Sequence, residues 1–201
     1  GSDRADAIAR MQAALAATRL SGIATNLDYL RTIIASPMFA AGDVSTRALS
    51  RLDYHPDAIE VVAPGTFTTI QDYPGRVGHW DVGVPPSGPM DDYAFRLANR
   101  VVGNTESAAA LECTLAGPTL KFHSDTVIAL TGATAEATLD GKPVAWWAPV
   151  TVKRNQVLTI GRTTTGCRTY IAVRGGFDVP VYLGSRSTFV LGQFGGHAGR
   201  T

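Results

Sequence analysis

Ile59-Glu60-Val61-Val62-Ala63-Pro64-Gly65-Thr66-Phe67-Thr68-Thr69-Ile70-Gln71 is the stretch on which the fold turns. Its β-branched residues fall into two strand-sized runs, 59–63 and 66–71, separated by turn residues. The same texture continues downstream. Runs rich in Val, Ile and Thr recur at 111–115, 126–131, 135–139, 150–152, 157–160 and 169–173, and Asp140-Gly141 lies between two strands as a hairpin signal. These features predict an all-β barrel or sandwich. One helix interrupts it: Asp91 caps, Met90 and Phe95 are placed as a hydrophobic staple, Ala94, Leu97, Ala98 and Val101 form the apolar face, and Gly103 closes the end.

Upstream of residue 56 the chain reads as short helices. Ile8, Met11 and Leu15 recur at three- and four-residue spacing behind a capping Asp3, and this helix is expected to end near Ser21-Gly22. Thr25 or Asn26 caps a second helix whose Leu27, Leu30 and Ile34 share a face, and Pro37 ends it. A third is expected over residues 45–52 with Leu49 and Leu52 inward. Helices this short need their stripes buried against something else. They either pack on the rest of the chain or form the end of a larger domain. The Gly-dense tail 192–201 brings no closing strand, so the sheet is expected to be unfinished. Gly1-Ser2 has the look of a scar from tag removal. The expected class is α+β: a short N-terminal helical segment over 3–56, then a mainly antiparallel, incomplete β-barrel module with one helix over 57–201.

Composition excludes several classes. The chain has 201 residues, 45% of them hydrophobic and 17% charged, with a formal charge of +1, which leaves no electrostatic footprint for nucleic acid or an anionic membrane. No apolar run approaches the roughly 18 residues of a membrane span. A cytoplasmic setting is expected, because no signal peptide opens the sequence. Cys113 and Cys167 sit in apolar segments without zinc spacing and read as reduced core thiols. His55, His79, His123 and His197 show no ligand spacing, so no metal is expected. Trp80 is a candidate core residue, and Trp146-Trp147 places one indole inward and one outward. No glycine-lysine phosphate loop is present.

Chemistry concentrates in four segments. Gln71-Asp72-Tyr73-Pro74-Gly75-Arg76 joins a turn to an acid, an amide and a guanidinium; Arg76 is placed either to clamp a carboxylate or to pair internally with Asp72. Gly83-Val84-Pro85-Pro86-Ser87-Gly88-Pro89-Met90-Asp91 is a stiff loop entering a helix, suited to an anion or simply to the entry itself. Arg174-Gly175-Gly176 and Gly184-Ser185-Arg186-Ser187-Thr188 each put an Arg beside small or hydroxyl residues near a strand end.

Residues 7–53, centred on Gly22-Ile23-Ala24-Thr25-Asn26-Leu27-Asp28-Tyr29-Leu30, resemble the end of a biotin carboxylase domain. Glu60-Val61-Val62-Ala63-Pro64-Gly65, the Gln71–Arg76 turn, the loop at 83–91, Leu111-Glu112, Gly117-Pro118, Thr131-Gly132 and Arg174-Gly175-Gly176 resemble the carboxyltransferase-like module called allophanate hydrolase subunit 2. A carboxylase tail leading into that module is the arrangement of the urea carboxylase family, alone or fused to allophanate hydrolase. The resemblance implies a cyclophilin-like barrel and a two-site reaction. ATP, Mg²⁺ and bicarbonate serve to carboxylate biotin on a carrier domain outside this piece, and the carboxyl group then passes from carboxybiotin to urea, giving allophanate. Implied partners are the rest of the same polypeptide (biotin carboxylase, second carboxyltransferase half and biotin carrier), urea and allophanate hydrolase. Arg76, Ser87, Arg174, Ser185 and Arg186 are the expected substrate-side or carboxybiotin-side contacts, with Asp72 a weaker proton-transfer candidate. This piece alone is expected to bind no cofactor and to be inactive. Rival readings are a guanidine carboxylase, a 5-oxoprolinase subunit and a regulatory antagonist of a kinase.

Overall fold

Side-chain alternation along the strands determines which residues meet across the sheet. The computed structural model describes residues 1–18, 20, 25–43, 45, 47–52 and 54–200. Its strands are β1 (Ile59–Ala63), β2 (Phe67–Gln71), β3 (Ala110–Thr114), β4 (Thr119–Phe122), β5 (Thr126–Leu139), β6 (Lys142–Pro143), β7 (Pro149–Val152) and β8 (Val157–Val173). All pairings are antiparallel, in the order β1-β4-β8-β3-β2, with β5 joined to β6, β7 and β8. The sheet curls into a half-barrel. Leu111, Cys113, Ile128, Leu130, Ile171 and Val173 point to the concave core, each large aliphatic contributing about 1.5–3 kcal/mol. Their neighbours Ala110, Ala129, Tyr170 and Ala172 point the other way, onto α4 (Asp92–Val101). Small residues there let the helix lie close to the strands.

The α+β expectation holds, with informative differences. The runs 126–131 and 135–139 are one strand, β5, and 157–160 and 169–173 are one strand, β8. Register shifts between Gly132 and Ala137 let the pair bend without breaking. β4 was not expected from the sequence; four residues give too little alternation to see. Asp140 and Gly141 both take positive φ at the turn from β5 to β6, as a tight hairpin requires.

Asp91 caps α4 by accepting from the Ala94 N–H at 3.0 Å. The staple does not form: Met90 is 73% exposed, and Phe95 packs edge-on against Tyr170 at 5.8 Å instead. Trp80 is 70% exposed, which corrects its candidacy for the core. Trp146 packs against the core while Trp147, at positive φ, lies outside any strand. Cys113 is buried, and burial pushes its thiol up to about 12; Cys167 is exposed and so is not a core thiol.

The residues before Ala58 form a separate unit, Gly1–Asp57. It contains α1 (Arg4–Ala17), α2 (Leu27–Ala35), α3 (Pro37–Ala41) and a 3₁₀ turn, Ala48–Arg51. Asp3 caps α1 as expected. The expected end at Ser21-Gly22 lies outside the described residues, and α1 is capped earlier, by Thr18. Arg31 of α2 donates to the carbonyls of Leu15 and Thr18, closing the negative end of α1. Pro37 stops α2 and serves as the first residue of α3, which Ser36 caps. The third expected helix shrinks to the 3₁₀ turn, with Ala48 buried and Leu49 exposed, because α-spacing does not survive in a three-residue repeat. No described helix is long and apolar enough to cross a membrane.

Candidate functional site

β2 ends at Gln71, and the next residues turn sharply, so Asp72 leaves the sheet with its carboxylate directed at a later loop. Asp72 Oδ1 accepts from the hydroxyls of Ser185 and Ser187, at 2.5 and 2.6 Å, and Oδ2 accepts from the Arg186 N–H at 2.7 Å. The Asp72 N–H donates to Ser187 Oγ at 2.9 Å. Four residues further on, the Arg76 side chain is 1% exposed. Its Nε donates to the Tyr182 carbonyl at 2.9 Å and its Nη2 to the Ser187 carbonyl at 2.8 Å, while the Phe194 ring lies 4.9 Å from the guanidinium carbon. Nη1 is buried without a hydrogen-bond partner. Burial pulls this guanidinium below its ordinary value and the nearby Asp72 charge opposes that shift, so it stays ionised. The acid and the base thus act together without a direct ion pair, each holding the segment 182–188.

The proline loop is tied to the same place. The Arg76 N–H donates to the Pro86 carbonyl. Gly75 and Gly88 face each other so closely that a Cβ on Gly75 would stand 2.6 Å from the Pro86 carbonyl oxygen, and one on Gly88 would stand 3.0 Å from that of Pro74. Both glycines have positive φ, which only glycine adopts cheaply. Ser87, between Pro86 and Gly88, is held at φ 54.

The structure therefore brings Asp72, Arg76, Ser185 and Arg186 together, with Ser87 on the adjoining loop. Arg186 is half-buried and donates from Nε to the Val179 carbonyl at 3.0 Å. Arg174 stands apart: its Nε donates to the Val102 carbonyl at the C-terminal end of α4, about 15 Å along the helix from the proline loop. It borders an open surface depression lined by Asp125, Thr126, Val127 and Thr151.

Three further polar residues of this region, Gln71, Glu112 and Tyr170, were not named as site contacts from the sequence, where Gln71 and Glu112 figure only within motifs. Glu112 lies in β3 between Leu111 and Cys113, opposite Tyr170 of β8 on one side and Thr69 of β2 on the other; Tyr170 in turn faces Thr131 of β5. Thr69, Glu112, Tyr170 and Thr131 thus form a buried row across four strands, beneath α4 and the loop before it. Gln71, two residues after Thr69, is buried on the same face. Glu112 Oε2 accepts from the Tyr170 hydroxyl at 2.9 Å; the Arg168 Nε is 3.5 Å from Oε1, an electrostatic contact without hydrogen-bond geometry. Burial pushes the Tyr170 phenol well up, and the Glu112 charge adds to this, so it remains a donor at any physiological pH. A single carboxylate inside the apolar run Ala110–Thr114 was the available signal.

An antiparallel half-barrel carrying one capped helix, with its polar residues gathered at the helix entry, defines a class that comparison makes specific. The chain belongs to the family described as carboxyltransferase domain, subdomain A and B, whose model matches residues 82–201. Residues 1–51 match a second model, the biotin carboxylase C-terminal domain. The urea amidolyase of Saccharomyces cerevisiae is 56% identical over 200 residues, covering 100% of this chain and 11% of that protein. The crystal structure of the Kluyveromyces lactis urea carboxylase superposes with a TM-score of 0.94 at 55% identity, over 100% of this chain and 18% of that one. A 5-oxoprolinase subunit of Escherichia coli is 43% identical over 144 residues, 71% of this chain and 46% of that protein. The chain thus spans about a tenth of the length of the curated urea amidolyase it matches end to end.

Proposed function

We propose that this chain is the junction of a biotin-dependent urea carboxylase. Residues 3–56 are assigned to the last helices of its biotin carboxylase domain, and residues 57–201 to the first part of its carboxyltransferase domain. The observation that carries this reading is order: one chain holds a biotin carboxylase C-terminal match and, after it, a carboxyltransferase match. A protein of the 5-oxoprolinase kind matches 71% of this chain, whereas the urea amidolyase matches all of it. The kinase-antagonist reading has no use for the helical unit.

In the whole polypeptide ATP, Mg²⁺ and bicarbonate drive the carboxylation of biotin, which a carrier domain outside this chain delivers. Bound there, biotin supplies the activated carboxyl group. Passage of that group from the biotin ring nitrogen to a urea nitrogen would require the urea nitrogen to give up a proton and the ring nitrogen to take one, with Ser87 and Arg186 placed to hold the anionic group. Positioning and electrostatics supply most of the rate in such a step. Of the six candidate residues, Ser87 and Arg186 are assigned to the anion side. Asp72, Arg76 and Ser185 act on it by holding the segment 182–188, since their polar atoms already engage one another or that segment's backbone. Arg174 is left outside this group. The partners are the remaining domains of the same polypeptide, with allophanate hydrolase consuming the product. We place the enzyme in the cytoplasm, where two free thiols persist.

The test uses the full-length polypeptide that contains this chain. With ATP, Mg²⁺ and bicarbonate present, urea is expected to stimulate phosphate release and radiocarbon fixation at least about 10-fold more effectively than guanidine or 5-oxoproline at equal concentration. A preference for guanidine or 5-oxoproline, or turnover by the 201-residue chain alone, sinks the assignment.

A further inference from the structure

The loop before α4 is held from beneath rather than by itself. Three consecutive anchoring points exist: Gln71 Oε1 accepts from the Gly88 N–H at 2.9 Å, Glu112 Oε2 from the Met90 N–H at 2.7 Å, and the Tyr170 hydroxyl from the Asp91 N–H at 2.7 Å. The three acceptors come from three adjacent strands, β2, β3 and β8, and are buried. A sheet face that packs a helix is ordinarily apolar, and each buried polar atom there costs free energy unless it is matched. Here all three acceptors take N–H groups of one short segment, residues 88–91. Between the first two anchors and the Arg76 contact to Pro86, the chain is forced through Ser87 at φ 54, a conformation a serine adopts only when its surroundings impose it. Thr131, in the same row, differs: its hydroxyl donates to the Ala94 carbonyl at 2.7 Å and so grips the helix, not the loop.

We propose that Gln71, Glu112 and Tyr170 are positioning residues for carboxyl transfer, setting the backbone of residues 86–91 so that Ser87 is presented in a single geometry to the transferring group. This rests on the carboxyltransferase reading above. It assigns the three side chains no contact with substrate. The Tyr170 phenol links the set, because it accepts from Asp91 while donating to the carboxylate that holds Met90. Removing its oxygen leaves the Asp91 N–H unmatched and loosens the Glu112 anchor in one step.

The experiment compares Tyr170→Phe, Glu112→Gln, Gln71→Leu and Thr131→Val in the full-length enzyme. Two readouts separate positioning from bulk stability: hydrogen exchange of the Gly88, Met90 and Asp91 amides, and the split between urea-independent carboxylation of biotin and transfer to urea. For Tyr170→Phe the Asp91 amide is expected to exchange at least about 10-fold faster. Transfer kcat is expected to fall about 10- to 100-fold, with biotin carboxylation and the KM for bicarbonate unchanged. Gln71→Leu should show the same pattern through Gly88. Glu112→Gln, which keeps an acceptor for Met90, should retain more transfer than Tyr170→Phe. Thr131→Val should lower the melting temperature and leave transfer untouched. Wild-type transfer in folded Tyr170→Phe or Gln71→Leu enzyme, or a Thr131→Val loss equal to theirs, overturns the proposal. Should Tyr170→Phe not fold, Gln71→Leu at the strand end decides. Absence of urea turnover in the wild type is a different failure, that of the carboxylase reading itself, and the exchange data distinguish the two.

Discussion

The two units of the chain use opposite means of holding shape. Among the described residues of Gly1–Asp57 none of the three α-helices contains a buried residue, and the fixed points are guanidinium groups on helix-end carbonyls: Arg31 on α1, and Arg4 on the Phe39 carbonyl at 2.6 Å. In the β unit, β3 over 110–113, β5 over 128–131 and β8 over 169–173 are buried on both faces, and side chains such as Phe95 and Tyr170 are wholly enclosed. The difference teaches that a regular apolar stripe and a core are separate things. A stripe shows only that a helix has something to bury; burial itself depends on a surface of matching extent.

Substitutions sharpen this contrast, the core ones most. Phe95→Ala is expected to destabilise the β unit by about 3–5 kcal/mol, whereas Met11→Ala in α1, at a half-exposed position, should stay within about 0.5 kcal/mol; denaturant titration followed by circular dichroism measures both. Comparable losses would break the contrast. Asp72→Ala should cost less than the core change, about 2–3 kcal/mol, because two serine hydroxyls and one N–H lose their acceptor together. Limited proteolysis should then open the 182–188 segment first, and cleavage elsewhere at equal rate would argue against the role given to Asp72.

The smallest effect concerns Asp140, whose carboxylate accepts from the Val157 N–H and from Gln156 at the hairpin turn. The Val157 contact, then that of Gln156, holds its folded value below the ordinary 3.8. A depressed carboxylate stabilises the fold above its unfolded value and loses that contribution as pH falls through the folded one. Asp140→Asn should therefore lower the melting temperature slightly at neutral pH, and the gap to wild type should close below pH 3.8. A gap that widens in acid contradicts the assignment.

Local signals were legible where one residue or one turn carries them. The Asp91 cap, the Asp140-Gly141 turn, the stop at Gly103 and the strand Ile59–Ala63 stand where the sequence put them. Met90 misled because a staple requires the chain before the helix to fold back over Phe95, whereas Glu112 takes the Met90 N–H and turns its side chain out. The candidate site was half legible. Asp72, Arg76, Ser185 and Arg186 were marked by type and by turn context, but not as a group, since 113 positions separate Asp72 from Ser185.

By itself the sequence determined the α+β class, the change of texture near residue 56, the capped helix and the family, because each rests on short-range stereochemistry or on residues read in order. Tertiary structure alone decided that Asp72 and Arg76 grip the same segment, that Arg174 does not join them, and that Gln71, Glu112 and Tyr170 line up beneath one loop. Those relations follow from strand register, and register is set by which faces can be buried together, a property of the whole sheet rather than of any window along the chain.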